Sequence, residues 1–100
     1  VTEMLIIVSY DVSTMDAPGR KRLRHVAKIC QNFGQRVQNS VFECEIDNAQ
    51  WIRLKSELLN EVDLNEDSLR IYCLGNNWHG HKEHYGIKRT FSLSEDTLLL

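Results

Sequence analysis

The sequence predicts an α+β fold in which two helices cover one face of an antiparallel sheet. Strand-like segments and two amphipathic helical segments follow one another in the order strand–helix–strand(s)–helix–strand–strand. The 100 residues suffice for one domain, and no third helical segment is available for the second face of the sheet. We therefore predict a ferredoxin-like βαββαβ sandwich with an extra C-terminal strand, forming a homodimer that covers this face with a second copy.

The first strand is the apolar run Met4–Val8, which predicts a central strand buried on both faces and ending at Tyr10 and Asp11. A helix follows, with Asp16 as the predicted N-cap and Pro18 in its first turn, where the missing N–H costs nothing. Its buried face is predicted from apolar residues at spacings of three and four: Leu23, Val26, Ala27, Cys30 and Phe33.

The middle of the chain holds an extended segment and a second helix. Gly34 is predicted to end the first helix in the left-handed conformation. Arg36–Ile46 is extended, and the Asn39–Ser40 step makes it either a kinked strand or a very short hairpin. Asp47 and Gln50 have the spacing of a capping box. The buried stripe of the second helix is predicted to contain Trp51, Ile52, Leu54, Leu58, Leu59 and Val62.

The last third begins with an acidic loop at Asp63–Asp67 and a strand at Leu69–Leu74. A turn at Gly75–Asn77 and a weak extended segment at Glu83–Lys88 follow. Leu98–Leu100 is too short and too apolar to remain in water, so we expect it to pair with a sheet edge.

Residues 1–100 are predicted to form a single domain, with residues 1–3 as upstream residues left out of the fold and a C-terminal strand or tail at 90–100. The longest apolar run is far shorter than the roughly 20 residues that span a bilayer, and it lacks the features of a signal peptide. A cytoplasmic protein without a membrane partner is the expectation. The widely spaced Cys30, Cys44 and Cys73 predict small buried thiols rather than a disulfide framework.

Charge is distributed unevenly along a chain whose net charge is only −2. Between Ala17 and Phe42 there are six Lys or Arg residues and no Asp or Glu, whereas Glu43–Asp67 is strongly acidic. Because the charge of one face governs phosphate affinity, the basic half predicts binding to a nucleic-acid backbone without sequence specificity. The basic residues are Arg20, Lys21, Arg22, Arg24, Lys28 and Arg36.

Asp11 is the candidate metal residue, because a carboxylate at the end of a buried strand can bind a divalent cation. Mg²⁺ needs only one or two carboxylates, with waters and phosphate oxygens completing its ligands. A homodimer would supply a second copy of Asp11. The alternative is that Asp11 caps a turn through its own backbone.

His79, His81 and His84 are close enough in sequence to suggest zinc, but no further ligand completes a tetrahedral set except Glu83. A solvated histidine-rich turn is the better interpretation.

The assembled motifs resemble the small CRISPR-associated family called Cas2. The similarity lies in Ile7–Val12 at the end of the first strand, the basic run Arg20–Lys28, and the segment Phe33–Cys44, which contains Ser40 and Phe42. It continues at Leu74–Gly75 and Asn77–Trp78, and it covers nearly all of 4–100. The branch that accompanies type I-C systems is the most similar.

The resemblance implies a ferredoxin-like homodimer that acts in CRISPR adaptation, with a metal-dependent nuclease activity that uses Mg²⁺ or Mn²⁺. It implies that Asp11 binds the metal and that Tyr10 lies beside it as a catalytic residue. Phe42 and Ser40 belong to the motif linked to activity. Phosphate contacts are implied for Arg20, Arg22, Arg24, Lys28 and Arg36.

The resemblance also implies partners: two dimers of the Cas1 integrase, which Cas2 bridges, and duplex DNA (the protospacer) or RNA. Three functions stay open at this point. They are a metal-dependent endonuclease, a purely structural DNA-binding scaffold in spacer acquisition, and a toxin-like endoribonuclease.

Overall fold

A computed structural model describes residues 4–74 and 81–87, with only the backbone of His81. It contains five strands and two helices within these ranges. In chain order they are β1 (Met4–Asp11), α1 (Ala17–Phe33), β2 (Gln35–Gln38), β3 (Val41–Ile46), α2 (Asn48–Glu61), β4 (Ser68–Leu74) and β5 (His81–Gly86). The α+β class and the ferredoxin-like order are confirmed, and β5 is the strand added to the βαββαβ unit.

The five strands form one sheet in the order β2-β3-β1-β4-β5, and all neighbouring pairs are antiparallel. The central strand β1 pairs with β3 on one side, where Ser9 lies opposite Val41. On its other side it pairs with β4, where Asp11 lies opposite Ser68. The end of β1, the turn between β2 and β3 and the start of β4 therefore lie at the same end of the sheet.

The hydrophobic core lies between the two helices and one face of the sheet. Ile6, Val8 and Tyr10 on β1 are fully buried in it, whereas the alternate residues Leu5 and Ile7 are only half-buried. The prediction that β1 is buried on both faces is therefore wrong for the single chain. Both helices pack on the same face, so the opposite face of β1 has no layer above it among the described residues.

The extended segment 35–46 is a hairpin, which settles the alternative left open by the sequence. β2 and β3 are joined by a turn at Asn39 and Ser40, and their register shifts between Arg36 and Gln38. Gly34 ends α1 as predicted, but its φ of −171° is extended rather than left-handed. The glycine is needed there because an added Cβ would lie 2.0 Å from the carbonyl oxygen of Glu43.

Both helices begin with the predicted caps. The carboxylate of Asp16 accepts a hydrogen bond from the backbone N–H of Gly19 at 2.7 Å. Asp47 and Gln50 form the reciprocal capping box, with hydrogen bonds of 2.8 and 3.0 Å. Neither helix in the described ranges is long and apolar enough to cross a bilayer.

The predicted stripe of α2 is correct at most positions but wrong at Ile52. Trp51, Leu54 and Leu58 are buried, whereas Ile52 is 59% exposed. The reason is helical geometry, because Ile52 lies about 100° further around the helix than Trp51 and so faces solvent. All three cysteines are buried and free, as predicted.

Several predictions fall outside the described residues. These are the turn at 75–77, the motif residue Trp78, the side chains of His79 and His81, and the C-terminal strand or tail at 90–100 with Leu98–Leu100.

Candidate functional site

Asp11 is the last residue of β1, and its side chain is exposed. The backbone N–H of the preceding Tyr10 donates to the carbonyl oxygen of Ser40 at 2.9 Å, which attaches the β2–β3 turn to the end of β1. Ser68 lies opposite Asp11 on β4. We call the region formed by Asp11, Ser40 and Ser68 the Asp11 end of the sheet.

Arg20, in the first turn of α1, contacts the loop that follows Asp11. The Nη1 of Arg20 donates to the carbonyl oxygen of Thr14 at 3.1 Å, only three residues after Asp11. The loop packs tightly on the helix, because a Cβ added at the buried Gly19 would lie 1.8 Å from the carbonyl oxygen of Ser13. A glycine at this position lets the loop fold back onto the first turn of α1.

Arg36 lies at the same end of the sheet, on the neighbouring hairpin. Its Nε donates to the carbonyl oxygen of Asn39 at 2.9 Å, and its guanidinium carbon lies 5.5 Å from the centre of the Phe42 ring. Phe42 itself is fully buried. Its ring therefore lies against an exposed cation, Arg36, from the core side.

A buried carboxylate, Asp67, lies beneath the site. Asp67 is 1% exposed, and Tyr10 donates its hydroxyl hydrogen to Oδ2 of this carboxylate. Arg22 binds the same carboxylate with two hydrogen bonds, from Nε to Oδ2 at 2.8 Å and from Nη2 to Oδ1 at 3.0 Å. The backbone N–H of Asp63 adds another at 3.0 Å. We call Tyr10, Arg22 and Asp67 the buried triad.

Burial and the hydrogen bonds of the triad shift the pKa of each of its three members. Burial opposes the charge of Asp67, but the hydrogen bonds from Arg22, Tyr10 and the Asp63 backbone outweigh it and lower the pKa of the carboxyl group. Burial, with the neighbouring Asp67 carboxylate, raises the pKa of the Tyr10 hydroxyl. The hydrogen bond to Asp67 raises the pKa of Arg22. The stable form is therefore a neutral tyrosine with a charged Arg22–Asp67 pair.

The structure separates the residues predicted to contact nucleic acid. Arg20, Arg24, Lys28 and Arg36 are exposed, whereas the side chain of Arg22 is only 18% exposed and is engaged by Asp67. Arg20 and Arg36 lie at the same end of the sheet as Asp11. Lys28 lies 11 residues beyond the start of α1, about 16 Å along the helix.

Tyr10 was predicted as a catalytic residue from its position beside Asp11. Its side chain is fully buried on the helix-covered face, and its hydroxyl donates to Asp67. That position gives the hydroxyl no access to a substrate phosphate. Alternation along a strand is the physical reason, because successive side chains point to opposite faces.

His84 has internal partners in the sheet. Its Nε2 lies 3.0 Å from the Ser68 hydroxyl and 3.0 Å from the carbonyl oxygen of Ile87. Within the described ranges no three His, Cys, Asp or Glu side chains form a metal-binding group. His84 therefore belongs to the packing between β4 and β5 rather than to a solvated turn.

Asp11 would hold a divalent cation at this end of the sheet, and a homodimer would add a second carboxylate. Asp11 is exposed at the tip of a strand, at the end of the sheet where Arg20 and Arg36 also lie, and guanidinium groups suit phosphate. Oxygen ligands of this kind suit Mg²⁺ or Mn²⁺. A metal site shared between two copies stays a prediction.

Sequence reasoning missed the role of Asp67, which it placed in an acidic loop. The partners of Asp67 are 57 residues away at Tyr10 and 45 residues away at Arg22. Spacing along the chain carries no signal for contacts of this range.

The family model for the CRISPR associated protein Cas2 matches residues 4–82. The chain belongs to the Cas2 family. A protein of Chlorobaculum tepidum named CRISPR-associated endoribonuclease Cas2 is 59% identical over 97 residues, covering 97% of this chain and all of that protein. The CRISPR-associated endonuclease Cas2 of Halalkalibacterium halodurans is 55% identical, covering 96% of this chain and 99% of its own.

Solved structures agree with the family assignment. The crystal structure of Streptococcus pyogenes Cas2 at pH 6.5 superposes with a TM-score of 0.69 at 52% identity, covering 75% of this chain and 90% of that one. The predicted family membership is thus confirmed from both sequence and fold.

Proposed function

We propose that this Cas2 protein binds the sugar–phosphate backbone of nucleic acid along α1 and cleaves phosphodiester bonds at the Asp11 end of the sheet. The observation that carries the proposal is the position of an exposed carboxylate, Asp11, at the same end of the sheet as the exposed cations Arg20 and Arg36. The relatives named endoribonuclease and endonuclease support a nuclease. Their names differ on the substrate, so we propose the class of reaction and leave RNA and DNA as arms of the test.

A homodimer completes the proposed site. The half-buried Leu5 and Ile7 on the open face of β1 favour a covering layer, and a second copy would bring the partner's carboxylate to the first. The bound Mg²⁺ or Mn²⁺ would activate water and neutralise charge on the scissile phosphate. Arg20 and Arg36 would hold the flanking phosphates, and Arg24 would contact the backbone one helical turn further on.

A second candidate function is a scaffold that bridges Cas1 integrase dimers on duplex DNA during spacer acquisition. The observation that favours it is the position of Lys28 about 16 Å along α1 from the start of the helix, because a backbone-binding surface that long exceeds what a single cleavage site needs. A cytoplasmic location and membership of the type I-C branch complete the proposal, and both remain predictions from the sequence.

The deciding experiment compares Asp11→Asn with Glu57→Gln, an exposed single-charge change on α2 that serves as the matched control. Both variants are assayed for cleavage of labelled RNA and duplex DNA, with Mg²⁺, with Mn²⁺ and with a chelator. Cleavage should depend on the divalent cation and should be lost in Asp11→Asn alone, while the mass measured by sedimentation stays that of a dimer.

The same two variants, together with Arg20→Gln/Arg24→Gln, are tested for spacer integration in the presence of Cas1. Integration retained by Asp11→Asn but lost in the double arginine variant would favour the scaffold. Cleavage that persists in Asp11→Asn would exclude Asp11 as the metal residue.

A further inference from the structure

We infer that Asp67 is a positioning residue for Asp11 and that Arg22 serves this buried carboxylate rather than a nucleic-acid phosphate. The geometry of the inference comes from the hydrogen bonds of the buried triad. Its predicted effect on cleavage rests on the proposed nuclease function. It removes Arg22 from the residues predicted to bind phosphate, and it adds a residue that no local sequence pattern selects.

Asp67 joins three separate parts of the fold at one point. Tyr10 belongs to the end of β1, Arg22 to the second turn of α1, and Asp63 to the loop after α2, and all of them donate to the Asp67 carboxylate. Oδ2 alone accepts from all three groups. A carboxylate with this many donors has a fixed orientation, and it fixes the orientation of the groups that donate to it.

The backbone of Asp67 is held as tightly as its side chain. Its N–H donates to the carbonyl oxygen of Asp63 at 2.7 Å, and its own carbonyl oxygen accepts from Ile87 at 2.8 Å. Gly86, with a φ of +95°, approaches so closely that an added Cβ would lie 2.0 Å from the Asp67 carbonyl oxygen. The carboxylate is therefore attached to a rigid support on the β5 side.

This support reaches Asp11 through two short covalent links. Tyr10 precedes Asp11 directly, and Asp67 precedes Ser68, which is the residue opposite Asp11 on β4. The hydrogen bond between Tyr10 and Asp67 thus connects the residue before Asp11 on β1 with the residue before Ser68 on β4. Loss of this bond would free the last residues of β1 and move the Asp11 carboxylate.

Arg22 and Arg24 provide a natural comparison on the same helix. Arg24 is exposed, whereas Arg22 has 18% of its side chain exposed and directs two of its nitrogens to Asp67. The charge of Arg22 is neutralised by the paired carboxylate. It therefore contributes little to the field that attracts a polyanion.

The first test measures nucleic-acid affinity against salt concentration in the presence of a chelator, so that no cleavage occurs. Each duplex phosphate that the protein neutralises contributes about −0.9 to the slope of log affinity against log salt. Arg24→Gln should reduce the magnitude of that slope by about 0.9 for each phosphate that the variant no longer binds. Arg22→Gln should leave the slope unchanged. An equal reduction in both variants would overturn the assignment of Arg22.

The second test measures hydrogen exchange of the peptide that covers 8–14 in Asp67→Asn and Tyr10→Phe. Exchange at residues 10–12 should accelerate in both, more strongly in Asp67→Asn, while exchange in α2 changes little. Tyr10→Phe removes one hydroxyl without touching the Arg22–Asp67 pair, so it remains informative if Asp67→Asn folds poorly. Unchanged exchange at 10–12 in Tyr10→Phe would overturn the positioning role whatever the activity.

The third test separates the rate of cleavage from substrate binding. In Tyr10→Phe and Asp67→Asn, kcat should fall by up to about 10²-fold, because a misplacement of a catalytic group by about 1 Å can cost that much. KM should stay nearly unchanged. Full kcat in the presence of accelerated exchange would overturn the link to Asp11. If the native chain cleaves nothing, the nuclease proposal fails, while the slope and exchange results still decide the role of Asp67 and Arg22.

Discussion

The two faces of β1 differ in what covers them. On the helix-covered face, Ile6, Val8 and Tyr10 have no exposed surface, and the one polar group among them is bonded to Asp67. On the open face, Leu5 and Ile7 are half-buried. The covered face provides the stability of the single chain, and the open face carries the side chain of Asp11.

Side-chain alternation along β1 therefore separates the residues that stabilise the fold from the residue proposed to act in function. Tyr10 and Asp11 are neighbours in sequence, yet one enters the core and the other reaches the surface. A change on the covered face should therefore act on folding, and a change on the open face should act on association and chemistry.

The sharpest test of this division is the pair Ile6→Ala and Ile7→Ala. Ile6→Ala should reduce the free energy of unfolding by about 4 kcal/mol, because it leaves a cavity in a closed core. Ile7→Ala should cost about 1 kcal/mol at low protein concentration, since the side chain is already partly in water. Urea denaturation at several protein concentrations measures both. Equal costs for the two variants in a monomeric sample would contradict the division.

Removing the buried carboxylate should have the next largest effect. Asp67→Asn should lower the free energy of unfolding at neutral pH by about 3 kcal/mol, because it leaves Arg22 without its charged partner. A carboxyl group whose pKa is lower in the folded chain stabilises the fold above the unfolded pKa of about 3.9. This contribution disappears as the pH falls towards the lowered folded pKa.

The pH dependence of stability tests the same carboxylate in a second way. Urea denaturation between neutral pH and pH 3 should show a loss of stability below about pH 4 in the native chain and a smaller loss in Asp67→Asn. Tyr10→Phe keeps the carboxylate but removes one donor, so it should lie between the two. An identical acid dependence in all three proteins would show that Asp67 does not control it.

The capping box of α2 should contribute less than Asp67 to the free energy of unfolding. Asp47→Ala removes the acceptor for the backbone N–H of Gln50 and should cost about 1 kcal/mol. Asn48→Ala, an exposed change one residue later, is the matched control. A thermal-melting comparison of the two variants checks the prediction, and a larger effect from Asn48→Ala would contradict it.

The smallest effect is expected at Ile52. This residue is 59% exposed on the outer side of α2, so Ile52→Gln should change the free energy of unfolding by less than about 0.5 kcal/mol. Leu54→Gln, two residues later and fully buried, provides the contrast. A large loss from Ile52→Gln would mean that a further layer covers the outer side of the helix.

These cases show which parts of the molecule the sequence could predict. The N-caps Asp16 and Asp47 were predictable because each finds its partner three residues away. The Asp67 carboxylate was not, because its main partners are 45 and 57 residues distant. Local hydrogen bonds leave a pattern in the sequence, and long-range ones do not.

The open face of β1 shows a second limit of the same kind. An unbroken apolar run from Met4 to Val8 predicted burial on both sides, but only one side is covered within the described part of the chain. Composition indicates that a residue avoids water and does not indicate which layer covers it. Arg20 and Arg36 were predictable as cations, but their contacts with the Thr14 and Asn39 carbonyl oxygens depend on turns that only the fold shows.

The three buried thiols have a practical consequence. Burial raises the pKa of Cys44 and Cys73 to about 11 and raises that of Cys30 as well, so almost no thiolate is present at neutral pH. An alkylating reagent should therefore modify the folded chain only when the region around a thiol opens. Because one thiol lies on α1, one on β3 and one on β4, mass spectrometry of the three alkylated peptides would report separately how often each of these elements leaves the core.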